Sequence, residues 1–226
     1  MLRADPVGPR ITYYDDAAGE RIELSAATLA NWAAKTGNLV RDELGAGPGC
    51  RVAVLLPAHW QTAAVLFGIW WVGAEAVPGG PADVAFCTVG RVAAADAAVD
   101  GRGEVAVLSL DPFGRPAPDL PVGVTDYATA VRVHGDRIIP EPHPGPALAG
   151  RTVGEVLDAC ESSAAARGLT SADRVLSTLA WDQPRDWVDG LLAILAVGAS
   201  LVQVANPDPV ALPRRIETEK VTRVLR

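Results

Sequence analysis

The amino-acid sequence predicts an α/β fold with two similar, mostly parallel sheet layers flanked by helices. Three observations lead to this prediction. Segments with the apolar spacing of a helix alternate with short continuous apolar runs, which are typical of strands buried on both faces. Glycine or proline follows most of these runs and ends them. The same order of elements then returns in the second half of the chain.

The first half begins with a helix that Ser25 caps and Gly45 ends. The apolar run 51–56, closed by Pro57, predicts a buried parallel strand, and a helix at about 59–72 and a strand at 74–77 follow. The next segments are weaker predictions: strands at 82–89 and 104–110, a small helix near 91–99, and Pro-rich connectors at 111–121 and 140–146.

The second half repeats this order after residue 150. Thr152 and Glu155 have the spacing of a capping box at the start of a helix that Gly168 ends. The remaining predicted elements are a strand at 174–179, a helix at 184–197, a strand at 199–204, a helix at 208–220 and a strand at 221–225.

An internal repeat relates the two halves. The Arg-Val pair at 51–52 aligns with the pair at 174–175, and the Gly-Ala pair at 73–74 aligns with the one at 198–199. We therefore divide the chain into a first α/β subdomain with its Pro-rich connector, residues 1–146, and a second, repeat-like subdomain, residues 147–226. A single compact unit is the alternative.

Composition excludes several classes of protein. The 226 residues are 49% hydrophobic, and 20 Lys and Arg against 27 Asp and Glu give a net charge of −7. This acidic balance argues against a nucleic-acid or anionic-membrane partner, which would require a basic surface. The longest apolar stretches are shorter than a bilayer span, and residues 1–10 lack the apolar core of a signal peptide. We therefore expect a cytoplasmic protein.

Cysteine and histidine give no pattern of a disulfide framework or a metal site. The three cysteines are far apart and form no C-x-x-C pair: Cys50, Cys87 and Cys160. The three histidines are also scattered, and we expect them at surface or capping positions: His59, His134 and His143. No metal is predicted.

Several motifs resemble the adenylate-forming enzymes, the superfamily of acyl-CoA synthetases, non-ribosomal peptide adenylation domains and luciferases. The run 47–57, G-P-G-C-R-V-A-V-L-L-P, is similar to the family's G-x-G-D-R-V-A-x-x-x-P, and 73–78, G-A-E-A-V-P, matches its G-A-x-x-x-P. Segments 169–179, 190–204 and 208–225 resemble later strands and helices of the family. The chain is thus identified as a truncated relative that resembles the family's N-terminal part.

The chain also resembles short actinobacterial proteins that share the segment T-L-x-W-D-x-P, here residues 178–184. The family binds the ATP phosphates with a loop of the type T-S-G-T-T-G-x-P-K-G, whose amides and hydroxyls face phosphate. At the corresponding place, 144–151, this chain reads P-G-P-A-L-A-G-R, with neither a Ser/Thr cluster nor a lysine.

Other functional parts of the family are also without a match. The family's aromatic–histidine pair is replaced by Trp181-Asp182, and its metal-binding acid and catalytic lysine would lie beyond Arg226. The resemblance therefore implies no catalytic residue and no metal in this chain. No cofactor is expected, and the missing loop argues against binding of ATP or CoA.

The candidate ligand crevice is the polar loop after the strand at 174–179, because ligands of open α/β sheets bind outside the carboxyl ends of the strands. An aromatic pair and two charged side chains would line it: Trp181, Asp182, Arg185 and Trp187. The alternative is an ordinary loop whose tryptophans pack onto the core. Three other tryptophans are expected in the core: Trp32, Trp70 and Trp71.

Three functions remain open. The preferred one is a non-catalytic remnant of an adenylate-forming enzyme that acts as a small-molecule binding or regulatory protein, with an acyl or nucleotide ligand. The second is a protein–protein interaction module, for which the strand at 221–225 would be an exposed sheet edge, so that we predict a homodimer. The third is an AMP-forming ligase that requires a second chain.

Overall fold

The structure is a computed structural model, and it describes residues 5–226. Strands and helices alternate along the chain, as the sequence predicts. The strands are β1 (Pro9–Asp15), β2 (Glu20–Ser25), β3 (Arg51–Leu55), β4 (Glu75–Val77), β5 (Val84–Thr88), β6 (Glu104–Leu108), β7 (Thr125–Asp126), β8 (Arg174–Ser177), β9 (Ser200–Ala205) and β10 (Arg223–Leu225). The helices are α1 (Ala26–Asp42), α2 (Trp60–Trp71), α3 (Val92–Ala98), α4 (Tyr127–Ala130), α5 (Val153–Ala166), α6 (Pro184–Trp187), α7 (Ala193–Ala196) and α8 (Leu212–Thr218).

The chain forms two compact units. Unit 1 contains Leu29 and the described residues before it, Ala58–Trp60 and Glu155–Arg226, and unit 2 contains Ala30–Pro57 and Gln61–Gly154. The sequence predicts the boundary between two subdomains at residue 146. The division into units differs, because the β1–β2 hairpin lies in the same unit as β8, β9 and β10. The hairpin joins them through β1, which pairs in parallel with β9.

Unit 1 is built on a five-stranded sheet with the order β10-β8-β9-β1-β2. All neighbours are parallel except β1 and β2, which form an antiparallel hairpin. Helix α8 packs on one face of this sheet, where its Leu212 and Ile216 contact a buried cluster of strand residues. That cluster consists of Leu176, Val202 and Val204.

Unit 2 is built on a fully parallel sheet with the order β4-β3-β5-β6-β7. Alternate residues of β3, β5 and β6 form one buried cluster with Ala95 and Val99 at helix α3. The strand residues of this cluster are Ala53, Leu55, Ala85, Cys87, Val105 and Val107. The predicted α/β class, with two similar and mostly parallel sheets, is confirmed.

The topology of the two sheets reflects the sequence repeat. In unit 2, β3 lies between β4 and β5, the next two strands along the chain. In unit 1, β8 lies in the same way between β9 and β10. Both central strands begin with the Arg-Val pair that defines the repeat, Arg51-Val52 and Arg174-Val175.

Some elements differ from the sequence prediction. The helix predicted at 184–197 is interrupted, because Val188–Leu192 forms a turn of π-helix between α6 and α7. The helix predicted at 208–220 is shorter, and β1, β2, β7 and α4 are elements that the sequence pattern did not reveal. The cap at Ser25 is confirmed, since its Oγ accepts a hydrogen bond of 3.1 Å from the Thr28 amide.

The expected positions of four side chains were wrong, those of one histidine and three tryptophans. His59 is buried with only 1% of its surface exposed, although a surface or capping position was expected. Its position follows from packing against Tyr13, whose ring centroid lies 4.3 Å from that of the imidazole. The second correction concerns Trp32, Trp70 and Trp71, which are half-buried and not part of the core. Within residues 5–226, no helix combines the length and apolarity needed to cross a bilayer.

Candidate functional site

The loop after β8 separates the four predicted crevice residues into two groups. Trp181 and Trp187 are 1% and 0% exposed and belong to the core of unit 1. Asp182 and Arg185 are exposed on the surface. The tryptophans therefore pack as in the alternative interpretation, and the ligand-binding role of the four residues stays a prediction.

Hydrogen bonds explain this arrangement of the loop. The indole nitrogen of Trp187 donates to the backbone carbonyl of Trp181 over 2.7 Å. The Asp186 carboxylate accepts hydrogen bonds from the amides of Asp182 and Gln183, at 3.2 and 2.9 Å, at the start of α6. The outward-facing Arg185 pairs with Asp189 one turn later, at 3.2 Å. The conformation of the loop is thus held by contacts among its own residues and those of the helix that follows.

Two polar atoms at this end of the sheet have no hydrogen-bond partner within the described chain. They are the indole nitrogen of Trp181 and the amide oxygen of Gln203, both in buried side chains. The Gln203 amide nitrogen donates to the carbonyl of Leu179 at 3.0 Å. Gly190 makes room for the Trp181 ring, since a Cβ there would lie 3.1 Å from the indole nitrogen.

Segment 144–151, at the position of the family's phosphate loop, donates most of its backbone amides to other groups of the protein. Pro144 and Pro146 have no amide hydrogen to donate. The amides of residues 147, 148 and 151 bond within the turn, to the carbonyls of Arg151 and Leu148. The Gly145 amide donates to the carbonyl of residue 73 at 3.0 Å. The Gly150 amide donates to the Glu75 carboxylate at 2.7 Å. Few amides therefore remain to bind a phosphate.

An open cleft lies at the opposite end of the unit 1 sheet. Its volume is about 800 Å³, within the range of small-molecule sites. The lining residues include the starts of four parallel strands or the positions just before them, so the cleft follows the amino edge of the sheet: Pro9, Arg10, Arg174, Ser200 and Thr222. Sequence reasoning missed this cleft because it considered only the carboxyl edge.

Glu219 organises the charges in one wall of the cleft. Its carboxylate, 7% exposed, accepts hydrogen bonds from the Tyr14 hydroxyl and the guanidinium groups of Arg21 and Arg174. Arg174 also donates to the Thr12 hydroxyl at 2.9 Å. Burial by itself would raise the pKa of Glu219, but the hydrogen bonds from Tyr14, Arg174 and Arg21 outweigh it and lower the pKa. The carboxylate is therefore held ionised in this wall.

Metal ligation has no support in this part of the molecule. Within residues 5–226, no three His, Cys, Asp or Glu side chains are grouped so that they could hold a metal ion. The cleft instead offers charged groups and hydroxyls, among them Ser171, Ser200 and Thr222. Such a lining is suited to a polar small molecule.

Comparison with known proteins decides the family. A protein of Mycobacterium tuberculosis described as a TIGR03089 family protein is 76% identical over 229 residues, covering 100% of this chain and 94% of the relative. The chain belongs to the TIGR03089 family. No family model matches the sequence.

Solved structures relate the fold of this TIGR03089 family chain to larger enzymes. An acyl-CoA synthetase of Brucella canis has a TM-score of 0.80 at 20% identity, covering 96% of this chain but 44% of the synthetase. An anthranilate CoA ligase, solved with anthranoyl-AMP, has a TM-score of 0.76 at 16% identity, covering 99% of this chain and 47% of the ligase. The chain thus spans less than half the length of these enzymes.

The resemblance of this TIGR03089 family chain to adenylate-forming enzymes is therefore confirmed for the fold. Its two sheets and flanking helices are those of the N-terminal region of an acyl-CoA synthetase. At this level of identity the likeness concerns the fold alone, and the enzymes' activities do not transfer with it.

Proposed function

We propose that this chain is a small-molecule binding or regulatory protein, with an acyl or nucleotide ligand, that does not form adenylates by itself. The observation that carries the proposal is the cleft of about 800 Å³ at the amino edge of the unit 1 sheet. It has room for a small metabolite, and its lining combines charged groups with hydroxyls. The predicted crevice at the carboxyl edge is the alternative location. It is supported by two buried polar atoms that have no hydrogen-bond partner within the described chain.

The segment 144–151 supports a role without catalysis. A phosphate loop binds its ligand through free backbone amides, and this segment has two prolines and bonds most of its amides to carbonyl or carboxylate oxygens of unit 2. A triphosphate would have to break these bonds before it could be held there. Adenylate formation by this chain is therefore expected to be undetectable.

Calorimetric titration of the purified protein tests the proposal, first with Mg-ATP and then with a stable acyl-adenylate analogue. Saturable binding of either ligand, without ATP–pyrophosphate exchange, is the expected result. Hydrogen exchange of the complex would then locate the ligand, with protection at 171–174 and 218–222 for the cleft or at 179–187 for the crevice. Absence of saturable heat with both ligands would refute ligand binding, and measurable exchange would refute the lack of catalysis.

A second candidate function is self-association through β10. Within the described chain, β10 pairs only with β8, and its Val224 is 39% exposed. A strand edge with free backbone groups and an exposed valine is a template for pairing with a second copy. Light scattering at high protein concentration is expected to give the mass of a dimer, whereas the mass of a monomer would rule this candidate out.

A further inference from the structure

The two buried acidic groups of the amino-edge cleft, Glu219 and Asp173, are paired with arginine side chains of the protein. Glu219 is bonded to Arg174 and Arg21, as described above. Asp173 accepts hydrogen bonds from the hydroxyls of Thr170 and Thr222 at 3.0 and 2.7 Å. It also forms an ion pair with Arg223 at 3.4 Å. The third acid, the exposed Asp5, accepts a hydrogen bond of 2.8 Å from the Gly8 amide. Of these three acids, only Asp5 has no cationic partner among residues 5–226.

Arg10 is in the opposite situation, because it is a buried cation without a counter-ion among residues 5–226. Only 5% of the residue is exposed, and its guanidinium donates to backbone carbonyls: those of Gly198, Ala199 at 3.1 Å and Asp5 at 3.5 Å. Its Nε atom is buried without a hydrogen-bond partner in the described chain. Arg10 forms no ion pair with any carboxylate of residues 5–226. The carbonyl dipoles compensate this buried charge in part, and an anion at the free Nε side would stabilise it further.

Two further residues with hydrogen-bond donors line the same cleft, Lys220 and Ser171. Lys220, which lines it, makes no ion pair within the described residues. Ser171 lies beside the backbone that holds Arg10, since a Cβ on Gly198 would be 3.4 Å from the Ser171 Cβ, and the Gly198 carbonyl accepts from Arg10. The cleft thus combines a hydroxyl with two cations that form no ion pair among the described residues, and such donors bind phosphate or carboxylate.

From these observations we propose that the amino-edge cleft is an anion site, which binds a phosphate or carboxylate group of the ligand through Arg10, Lys220 and Ser171. This inference rests on the proposed function, because it specifies the charge of the ligand in the same cleft. The competing explanation is that Arg10 only caps the carbonyls that follow helix α7. In that case no anion is required.

Calorimetry with two anions tests the site: pyrophosphate as the phosphate and malonate as the carboxylate, both at low ionic strength. The wild-type protein is compared with Lys220→Gln, which removes the positive charge and keeps a flexible polar side chain. Arg102→Gln is the matched control, because it removes one positive charge from unit 2 at a side chain that is 87% exposed. We expect one saturable site, at least about tenfold weaker in Lys220→Gln and unchanged in Arg102→Gln.

Arg10→Gln is the second variant, used if circular dichroism and melting show that it folds. If it does not fold, amide chemical shifts of Ser171 and Gly198 in the wild type replace it, and they are expected to move with pyrophosphate or malonate. Which of the two anions binds more tightly identifies the chemical group. Absence of saturable binding would overturn the anion site, as would equal affinity of Lys220→Gln and Arg102→Gln for the anion. Amide chemical-shift changes that leave Ser171 and Gly198 unaffected would overturn it as well.

These results separate the anion site from the proposed function. If pyrophosphate or malonate binds as expected but neither Mg-ATP nor the acyl-adenylate analogue does, the proposed acyl or nucleotide ligand is wrong and the anion site stands. If the acyl-adenylate analogue binds equally to the wild type and Lys220→Gln, and neither small anion binds, the anion site is wrong and the proposed function stands.

Discussion

The indole nitrogen of Trp187 is hydrogen-bonded to the backbone carbonyl of Trp181, at a distance of 2.7 Å within the core of unit 1. This bond connects the loop after β8 to the helix that follows it. Both side chains are fully enclosed, so that they contribute mainly to stability. The exposed residues between them are free to vary without loss of this contact.

Trp187→Phe is expected to reduce the free energy of unfolding by about 2–4 kcal/mol. The substitution leaves the Trp181 carbonyl without its donor and creates a cavity where the larger ring stood. Urea unfolding followed by circular dichroism measures the change. Asp182→Ala, in the same loop but exposed, is the control and should stay within about 0.5 kcal/mol of the wild type. Equal effects of the two substitutions would contradict this description of the loop.

Glu219→Gln is expected to destabilise unit 1 by about 2–3 kcal/mol, because it removes the buried carboxylate between the Arg21 and Arg174 guanidinium groups and leaves them only Glu23. The exposed Glu217, two residues earlier in α8, provides the matched control in Glu217→Gln. Chemical denaturation at neutral pH measures both variants.

The same carboxylate predicts a pH dependence. Its pKa is lower in the folded protein than in the unfolded chain, so its contribution is complete above the unfolded value of about 4.5 and is lost as the pH falls further. The stability of Glu219→Gln should therefore decline less steeply than that of the wild type below this pH. Parallel declines would show that the carboxylate is not preferentially stabilised by folding.

His59 predicts a second pH dependence, at higher pH. Burial lowers its pKa to about 3, although the nearby Asp15 carboxylate acts to raise it and Glu20 lies 3.9 Å away. The unfolded chain binds a proton at this side chain near pH 6.5, whereas the folded protein does not until about pH 3. Stability should therefore fall as the pH decreases from about 6.5, by at most about 1.4 kcal/mol per pH unit.

Melting temperatures between pH 7 and pH 4.5 measure this decline. His59→Gln should flatten the curve over this interval, even if the variant is less stable at pH 7 because its side chain packs less well against Tyr13. His143→Gln, at an exposed position, is the control and should keep the wild-type slope. An unchanged slope in His59→Gln would mean that the imidazole is protonated in the folded protein.

Val224→Lys is expected to convert the predicted dimer into a monomer. A lysine on an edge strand disfavours pairing with a second strand, because its charge would have to be buried or brought close to its own copy. Light scattering of the variant and the wild type at equal concentration measures the change. We expect the variant to fold, because an exposed edge strand tolerates lysine. Circular dichroism is the control that checks its folding. A dimer of unchanged strength would place the interface elsewhere.

Local patterns were sufficient for most elements of the two sheets. The runs at β3, β8 and β9 were recognised because the central residues of a parallel strand covered on both faces are buried and mostly apolar. The hairpin of β1 and β2 was not recognised. Polar residues on one of its faces, such as Thr12 and Glu23, obscure the apolar pattern, and they are explained only by the network around Glu219 and Arg174.

Local sequence patterns predicted less about the candidate ligand site than about the fold. The sequence predicted a loop of tryptophans and charged residues at the carboxyl edge, but whether a tryptophan faces a ligand or the core depends on contacts with other elements. Likewise, the amino-edge cleft brings Arg10 near Ser171 and Gly198, which are far away along the chain. No local spacing carries that information.

The sequence by itself determined the α/β class, the order of most elements, the repeat and the absence of a Ser/Thr-rich phosphate loop, because each depends on residues close together along the chain. Only the tertiary structure decided that β1 and β2 complete the sheet of unit 1, that His59, Trp181 and Trp187 are buried, and that Arg10 has no counter-ion within the described part of the chain. Burial and charge compensation depend on the neighbours that folding brings together from distant segments, and these are absent from any local pattern.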